Sequence, residues 1–223
     1  MTPRRTWLLA SAGVALAVYA LMWIGFAANW MLPTTVDTSW LGIGYRFGVA
    51  HPGWVGAWNT FCTALGPTVF RAVTLVVIVV ALVHRNLRVA FFLLISVELS
   101  GIITEIAKCL AHRPRPVTAL VSAPSSSFPS GHALGVMVGV LALLTVVLPV
   151  AHRPARVWLI ALGAVIVVAI GVGRVVLNVH HPSDVVAGWA LGYAYFVACL
   201  AMIPPSRPIT ATAETPAGLG TAR

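Results

Sequence analysis

Hydrophobic residues arrive along this chain in six long runs, at residues 7–28, 61–83, 89–107, 133–150, 157–172 and 185–203. At 1.5 Å of rise per residue each run makes a helix of roughly 24 to 35 Å, close to the ~30 Å hydrocarbon core of a bilayer. The pattern predicts an all-α fold: a polytopic membrane helical bundle with six transmembrane helices, one domain over residues 1–203. Residues 204–223, rich in Pro, Thr, Ala and Gly, are expected to form a disordered cytoplasmic tail. Between the first two runs, residues 29–60 place Trp30, Trp40, Trp54 and Trp58 among glycines and prolines. That mixture suits a segment in the headgroup layer, with room for a short interfacial helix. The first run, about 22 residues long, exceeds the 7 to 15 of a signal h-region and is read as an uncleaved helix.

Composition narrows the class. Hydrophobic residues make up 59% of the 223 and charged residues 9%, against roughly 25% charged in an ordinary soluble domain. The net charge of +9 comes from 14 basic and 5 acidic side chains. These cations are scattered through short inter-helix segments, so they answer to membrane topology and anionic headgroups rather than to nucleic acid. The three cysteines, Cys62, Cys109 and Cys199, show no CxxC or Cys/His spacing. They imply neither a disulfide framework nor a zinc site. There is no internal repeat, and oligomeric state is not readable.

The loops give an orientation. Arg4, Arg5, Arg85, Arg88, Arg153, Arg156, Arg207 and Arg223 fall on one side of a six-span topology. Arg46 and Arg71 fall on the other, together with Lys108, Arg113, Arg115 and Arg174. Once those last four are set aside for chemistry, the positive-inside rule puts both termini in the cytoplasm. The segments 108–130 and 173–183 then meet on the extracytoplasmic face.

That face holds the candidate chemistry. Phe128-Pro129-Ser130-Gly131-His132 runs directly into the uncharged fourth run. Ser130 is a natural N-cap, Gly131 allows close approach to the backbone, and the helix N-terminus favours an anion. The same face holds Lys108, Arg113, Arg115 and Arg174, and a tetrahedral phosphate is the partner that such cations and free N–H groups fit best. Pro182 is placed as the first residue of the sixth helix. Asp184 then lies in its first turn, four residues from His180, positioned to hold one ring N–H and leave the other nitrogen nucleophilic. For phosphoryl transfer, His180 attacks phosphorus and His132 protonates the leaving oxygen, then acts as base toward water.

Lys108 separated by six residues from Arg115-Pro116, the string Pro129-Ser130-Gly131-His132, and Arg174 separated by five residues from His180, itself separated by three from Asp184, resemble the three-part signature of the phosphatidic acid phosphatase type 2 (PAP2) superfamily. The resemblance implies phosphate binding by Lys108, Arg115, Arg174, Ser130 and Gly131, with His180 as nucleophile, His132 as acid and Asp184 as orienting partner. It implies no metal and no cofactor. One departure is visible: the family usually carries serine where this chain has Gly173.

Other polar residues receive simpler readings. Arg113 also precedes a proline, but the spacing favours Arg115. Glu98 and Glu105 share a helix face with Lys108 and are read as partners for it or another buried cation. His112 and His181 are read as neighbours of the motif residues, and Arg71 as a cation snorkelling toward headgroups. The expected protein is an integral-membrane, metal-independent phosphatase of a lipid phosphate or diphosphate. By family analogy the candidates are undecaprenyl diphosphate, phosphatidylglycerol phosphate and phosphatidic acid. A phosphotransferase using the same histidine, and a non-catalytic lipid carrier, are the alternatives.

Overall fold

Helix follows helix through residues 3–205, the part of the chain described by the computed structural model, with no strand among them. The expected tail lies almost wholly outside the described residues. In chain order the helices are α1 (Pro3–Ala27), α2 (Met31–Ala50), α3 (Pro52–Ala64), α4 (Pro67–Val83), α5 (Leu87–Leu93), α6 (Ser100–Ala111), α7 (Gly131–Val147), α8 (Arg153–Val176) and α9 (Pro182–Met202), with a π-helical segment (Leu94–Glu98) between α5 and α6. Proline marks the first turn of α3, α4, α8 and α9, where its missing N–H would have had no intrahelical partner.

Among the described residues, five stretches are long and apolar enough to cross a membrane: Arg5–Ala27, Pro52–Val83, Leu87–Ala111, Arg153–Val176 and Pro182–Met202. Their outward faces carry exposed Trp7, Val14, Val76, Val79, Trp158 and Val165, which in lipid are solvated and in water would not be. The fourth expected run, 133–150, is helical only to Val147 and gives the 17-residue α7. Pro149 is the reason: Leu148 is still helical and donates to the Leu144 carbonyl, but Pro149 has no N–H with which to continue the ladder. Short as it is, α7 is largely enclosed by the bundle. Leu134, Val136, Val138 and Ala142 are fully buried beneath α4, α8 and α9.

Residues 29–60 differ from expectation. They hold more helix than one short element: α2, 20 residues long, and then most of α3, which runs on toward α4. One side of α2 turns inward, burying Asp37 and Leu41 against the ends of α8 and α9. The third run also differs, because a π turn interrupts it, with Leu99 N–H donating to the Leu94 carbonyl at 3.2 Å.

Close approach of α7 and α9 fixes the site. A Cβ on Gly188 would lie 2.6 Å from the Ser130 carbonyl oxygen, and one on Gly192 2.9 Å from that of Leu134. Glycine at these two positions lets the backbones touch, as small residues do between membrane helices. The N-termini of α7 and α9 therefore sit side by side.

Candidate active site

The turn before α7 is anchored from below. Phe128 is fully buried, its ring centroid 5.6 Å from Tyr19 and 6.5 Å from Phe26, both on α1, and the Phe128–Pro129 bond is cis. Ser130 is the N-cap of α7, its Oγ accepting from Ala133 N–H at 3.5 Å, while its own N–H donates to the Asp184 carbonyl at 2.9 Å. A Cβ on Gly131 would lie 3.1 Å from Thr104 Cγ2 and 3.8 Å from Lys108 Nζ, so the ammonium lies beside the helix N-terminus. The positive end of α7 and a lysine thus face one space, which favours an anion.

The loop between α6 and α7 supplies two arginines with different tasks. Left-handed His112 (φ 48°) ends α6 and turns Arg113 inward. There Arg113 Nη1 donates to Asp184 Oδ1 at 2.6 Å and to Ser183 Oγ at 2.7 Å, Nη2 donates to Asp37 Oδ2 at 2.8 Å, and the guanidinium stands 4.7 Å over the Phe26 ring. Arg113 is therefore committed to two buried carboxylates. Arg115 is held by the carbonyls of Pro124, Ser125 and Val179 and presents Nη1 3.2 Å from His180 Nε2. The loop folds back on itself to achieve this, with Ser127 N–H donating to the Arg113 carbonyl and Ser127 Oγ to that of Pro114.

His180 is 1% exposed. The sequence places Asp184 on its ring N–H, but the nearest acceptor is the Ser127 carbonyl, 2.7 Å from Nδ1, with Asp184 Oδ2 at 3.6 Å. At that distance the carboxylate acts as a charge rather than as the hydrogen-bond partner. The reason is competition: Asp184 Oδ2 already accepts from His181 N–H at 2.8 Å and lies 3.1 Å from His181 Nδ1, closing a capping box at the start of α9. Burial lowers the His180 pKa to about 4, further lowered by Arg115 and Arg174 and opposed by Asp184. A neutral ring with its proton on Nδ1 leaves the Nε2 lone pair facing Arg115.

His132 stands in the first turn of α7 with its ring against the α3–α4 turn, where a Cβ on Gly66 would be 3.5 Å from Nε2. The charges of Arg174, Lys108 and Arg115 and the ring of His180 all act on it, so the three sequence segments do meet. Arg174 is buried at the end of α8, and its Nε has no hydrogen-bond partner among the described residues. The departure at Gly173 has a steric cause: a Cβ there would fall 2.6 Å from Cys62 Sγ and 2.8 Å from Trp58 Cε3.

Three participants were not singled out from sequence. Asp37 is buried on α2, where Oδ2 accepts from Arg113 and from Ser183 Oγ at 2.6 Å, and Oδ1 from Ser183 N–H at 3.0 Å. It is the lone acidic residue before Glu98, which in an apolar chain with unpaired cations was a usable signal. The Ser127 carbonyl and Cys62 left no such trace. Glu105 pairs with Lys108 at 3.3 Å as expected, whereas Glu98 accepts from Thr74 Oγ1 at 2.7 Å. Arg71 does not reach outward: its guanidinium lies on the backbone of Gly101 in α6.

Residues 89–208, more than half of the chain, match the model of the PAP2 superfamily. The chain belongs to the PAP2 superfamily. Among curated proteins, this PAP2 chain is 33% identical over 115 residues to an undecaprenyl-diphosphatase of Sulfolobus acidocaldarius, covering 48% of this chain and 52% of that one. It therefore spans about half the length of that relative. It is 31% identical over 148 residues to phosphatidylglycerophosphatase B of Bacillus subtilis, covering 64% of this chain and 72% of that one. Its fold is similar to the crystal structure of a transmembrane PAP2-type phosphatidylglycerolphosphate phosphatase from Bacillus subtilis, with a TM-score of 0.63 and 21% identity over 84% of this chain and 94% of that one. With that structural likeness and its apolar helices, the PAP2 protein described here is an integral membrane protein.

Proposed function

We propose that this protein is a lipid phosphate phosphatase working through a phospho-histidine, without a metal. The observation that supports it most is the pairing of a buried imidazole, its Nδ1 held by the Ser127 carbonyl, with a guanidinium 3.2 Å from its Nε2. A phosphate seated on Arg115, Lys108, Arg174 and the N-terminal amides of α7 would present phosphorus to that nitrogen. His180 Nε2 forms the P–N bond as the bond to the leaving oxygen breaks, and His132 gives that oxygen its proton. His132 then takes a proton from water, whose oxygen attacks phosphorus and releases His180 as inorganic phosphate leaves. The cations neutralise charge on the equatorial oxygens in both steps.

The substrate is an amphiphile, because the bundle is set in lipid and exposed Ile102, Ile106 and Leu110 flank the Lys108 side of the site. The relatives point to undecaprenyl diphosphate or phosphatidylglycerol phosphate, with phosphatidic acid as the simplest monoester. We place α7 as a sixth, centrally enclosed span, both termini in the cytoplasm, and the site at the extracytoplasmic face, on the strength of the arginine distribution. The test is phosphate release from these lipids by purified protein in detergent, with and without chelator. Release that survives chelator and disappears in His180→Ala is expected. Release abolished by chelator, or intact in His180→Ala, contradicts the proposal.

A further inference from the structure

Beside the candidate site, a cleft between α4 and α6 is lined by Arg71, Glu98, Gly101, Glu105, Lys108 and Gly131. It reaches from the phosphate-facing Gly131 and Lys108 down to Arg71, which no part of the proposed mechanism uses. Arg71 Nε is buried with no hydrogen-bond partner, and among the described residues its guanidinium has neither a hydrogen bond nor a carboxylate partner. The two carboxylates that share the cleft are otherwise engaged, Glu98 accepting from Thr74 and Glu105 paired with Lys108. An unpaired guanidinium within a membrane stretch is expensive to keep.

Glycine at position 101 makes its placement possible. A side chain there would collide with Arg71 Nη2, so the guanidinium rests on bare α6 backbone. Gly101 and Lys108 are seven residues apart on one helix face, about 10 Å along the axis. The cleft thus offers one cationic station at the reacting phosphate and a second farther along α6. A forked guanidinium matches phosphoryl oxygens rather than hydroxyls or an ester chain. Exposed Ile102 and Ile106 flank the lower station, so a lipid's apolar part can leave sideways into the bilayer.

We infer that Arg71 binds a second phosphoryl group of the substrate, the one that is not cleaved, and so selects lipids with two phosphates over simple phosphatidate. This rests on the proposed phosphatase reading. Two lipid classes carry such a group: a prenyl diphosphate, with the phosphates joined directly, and phosphatidylglycerophosphate, with a phosphodiester across a glycerol.

The experiment measures kcat/KM of the full-length protein in mixed micelles for phosphatidate, phosphatidylglycerophosphate and a long-chain prenyl diphosphate. Wild type is compared with Arg71→Gln and with Gly101→Ala, whose methyl displaces the flexible guanidinium without removing it. In both variants the ratio of a two-phosphate lipid to phosphatidate is expected to fall on the order of ten- to a hundredfold, as for loss of a charged hydrogen bond. The arm that falls identifies which of the two lipid classes is read. Ratios unchanged for both two-phosphate lipids, including equal loss on all three substrates, overturn the inference, as does a wild type that hydrolyses phosphatidate alone. A wild type that releases phosphate from none of the three overturns the phosphatase reading and this inference with it.

Discussion

The carbonyl oxygen of Ser127 lies 2.7 Å from Nδ1 of His180, nearer than either oxygen of Asp184. A main-chain atom therefore fixes the tautomer, and burial holds the ring neutral, with its pKa at about 4 in place of 6.5. Between those two values the unfolded chain takes up a proton that the folded chain refuses. Stability is then full above pH 6.5 and falls as pH drops toward 4, by roughly 3 kcal/mol for this one group. Thermal unfolding in detergent across pH 4 to 7 should show that slope, and His180→Asn should flatten it.

The division of labour around Asp184 makes a second prediction. Asp184→Asn removes one of the two carboxylate charges paired with Arg113 but leaves the Ser127 contact to His180 intact. Because Asp37 still pairs with Arg113, the expected loss of stability is at the lower end for a broken buried ion pair, roughly 3 kcal/mol. Turnover should fall yet stay measurably above that of His180→Ala. Equal inactivity in the two variants would show that the carbonyl alone does not orient the ring.

Asp37 ties α2 to the loop and to the first turn of α9 through three hydrogen bonds. Asp37→Ala leaves Arg113 Nη2 and two Ser183 donors without their acceptor while Asp184 still pairs with Arg113, and should cost roughly 3 kcal/mol. Combining it with Arg113→Met, which removes the cation that Asp37 and Asp184 share, should cost less than the two single losses added. A double-mutant cycle read by thermal unfolding measures the coupling.

Much of this architecture was legible in residue order. Ser130 as cap and Pro182 as first residue of the last long helix follow from local rules, because caps and helix starts are set by neighbours in sequence, while Lys108, Arg115 and Arg174 were placed together by counting spans. What was not legible depended on long-range packing. Asp37 reaches the site only because α2 is a helix with a buried side, which the tryptophans and glycines around it obscured. The Ser127 carbonyl on His180 was not anticipated, because spacing shows that Asp184 is near but not that His181 N–H holds the same oxygen at closer range. The early end of α7 was written in Pro149, yet hydropathy alone ran past it.

Gly173 offers a test of packing. Serine there would press on Cys62 Sγ and the Trp58 ring, so Gly173→Ser should destabilise by roughly 1 to 3 kcal/mol. Adding Cys62→Ala should recover part of the loss, while Trp58 keeps the rest. Unfolding midpoints of the single and double variants check this.

The most direct test of the whole account is capture of the covalent intermediate. Rapid quenching of the enzyme with lipid labelled in its terminal phosphate, followed by peptide mapping, should find an acid-labile, alkali-stable phosphoryl group on His180 and none in His180→Ala. Label on another residue, or turnover by His180→Ala, would contradict it.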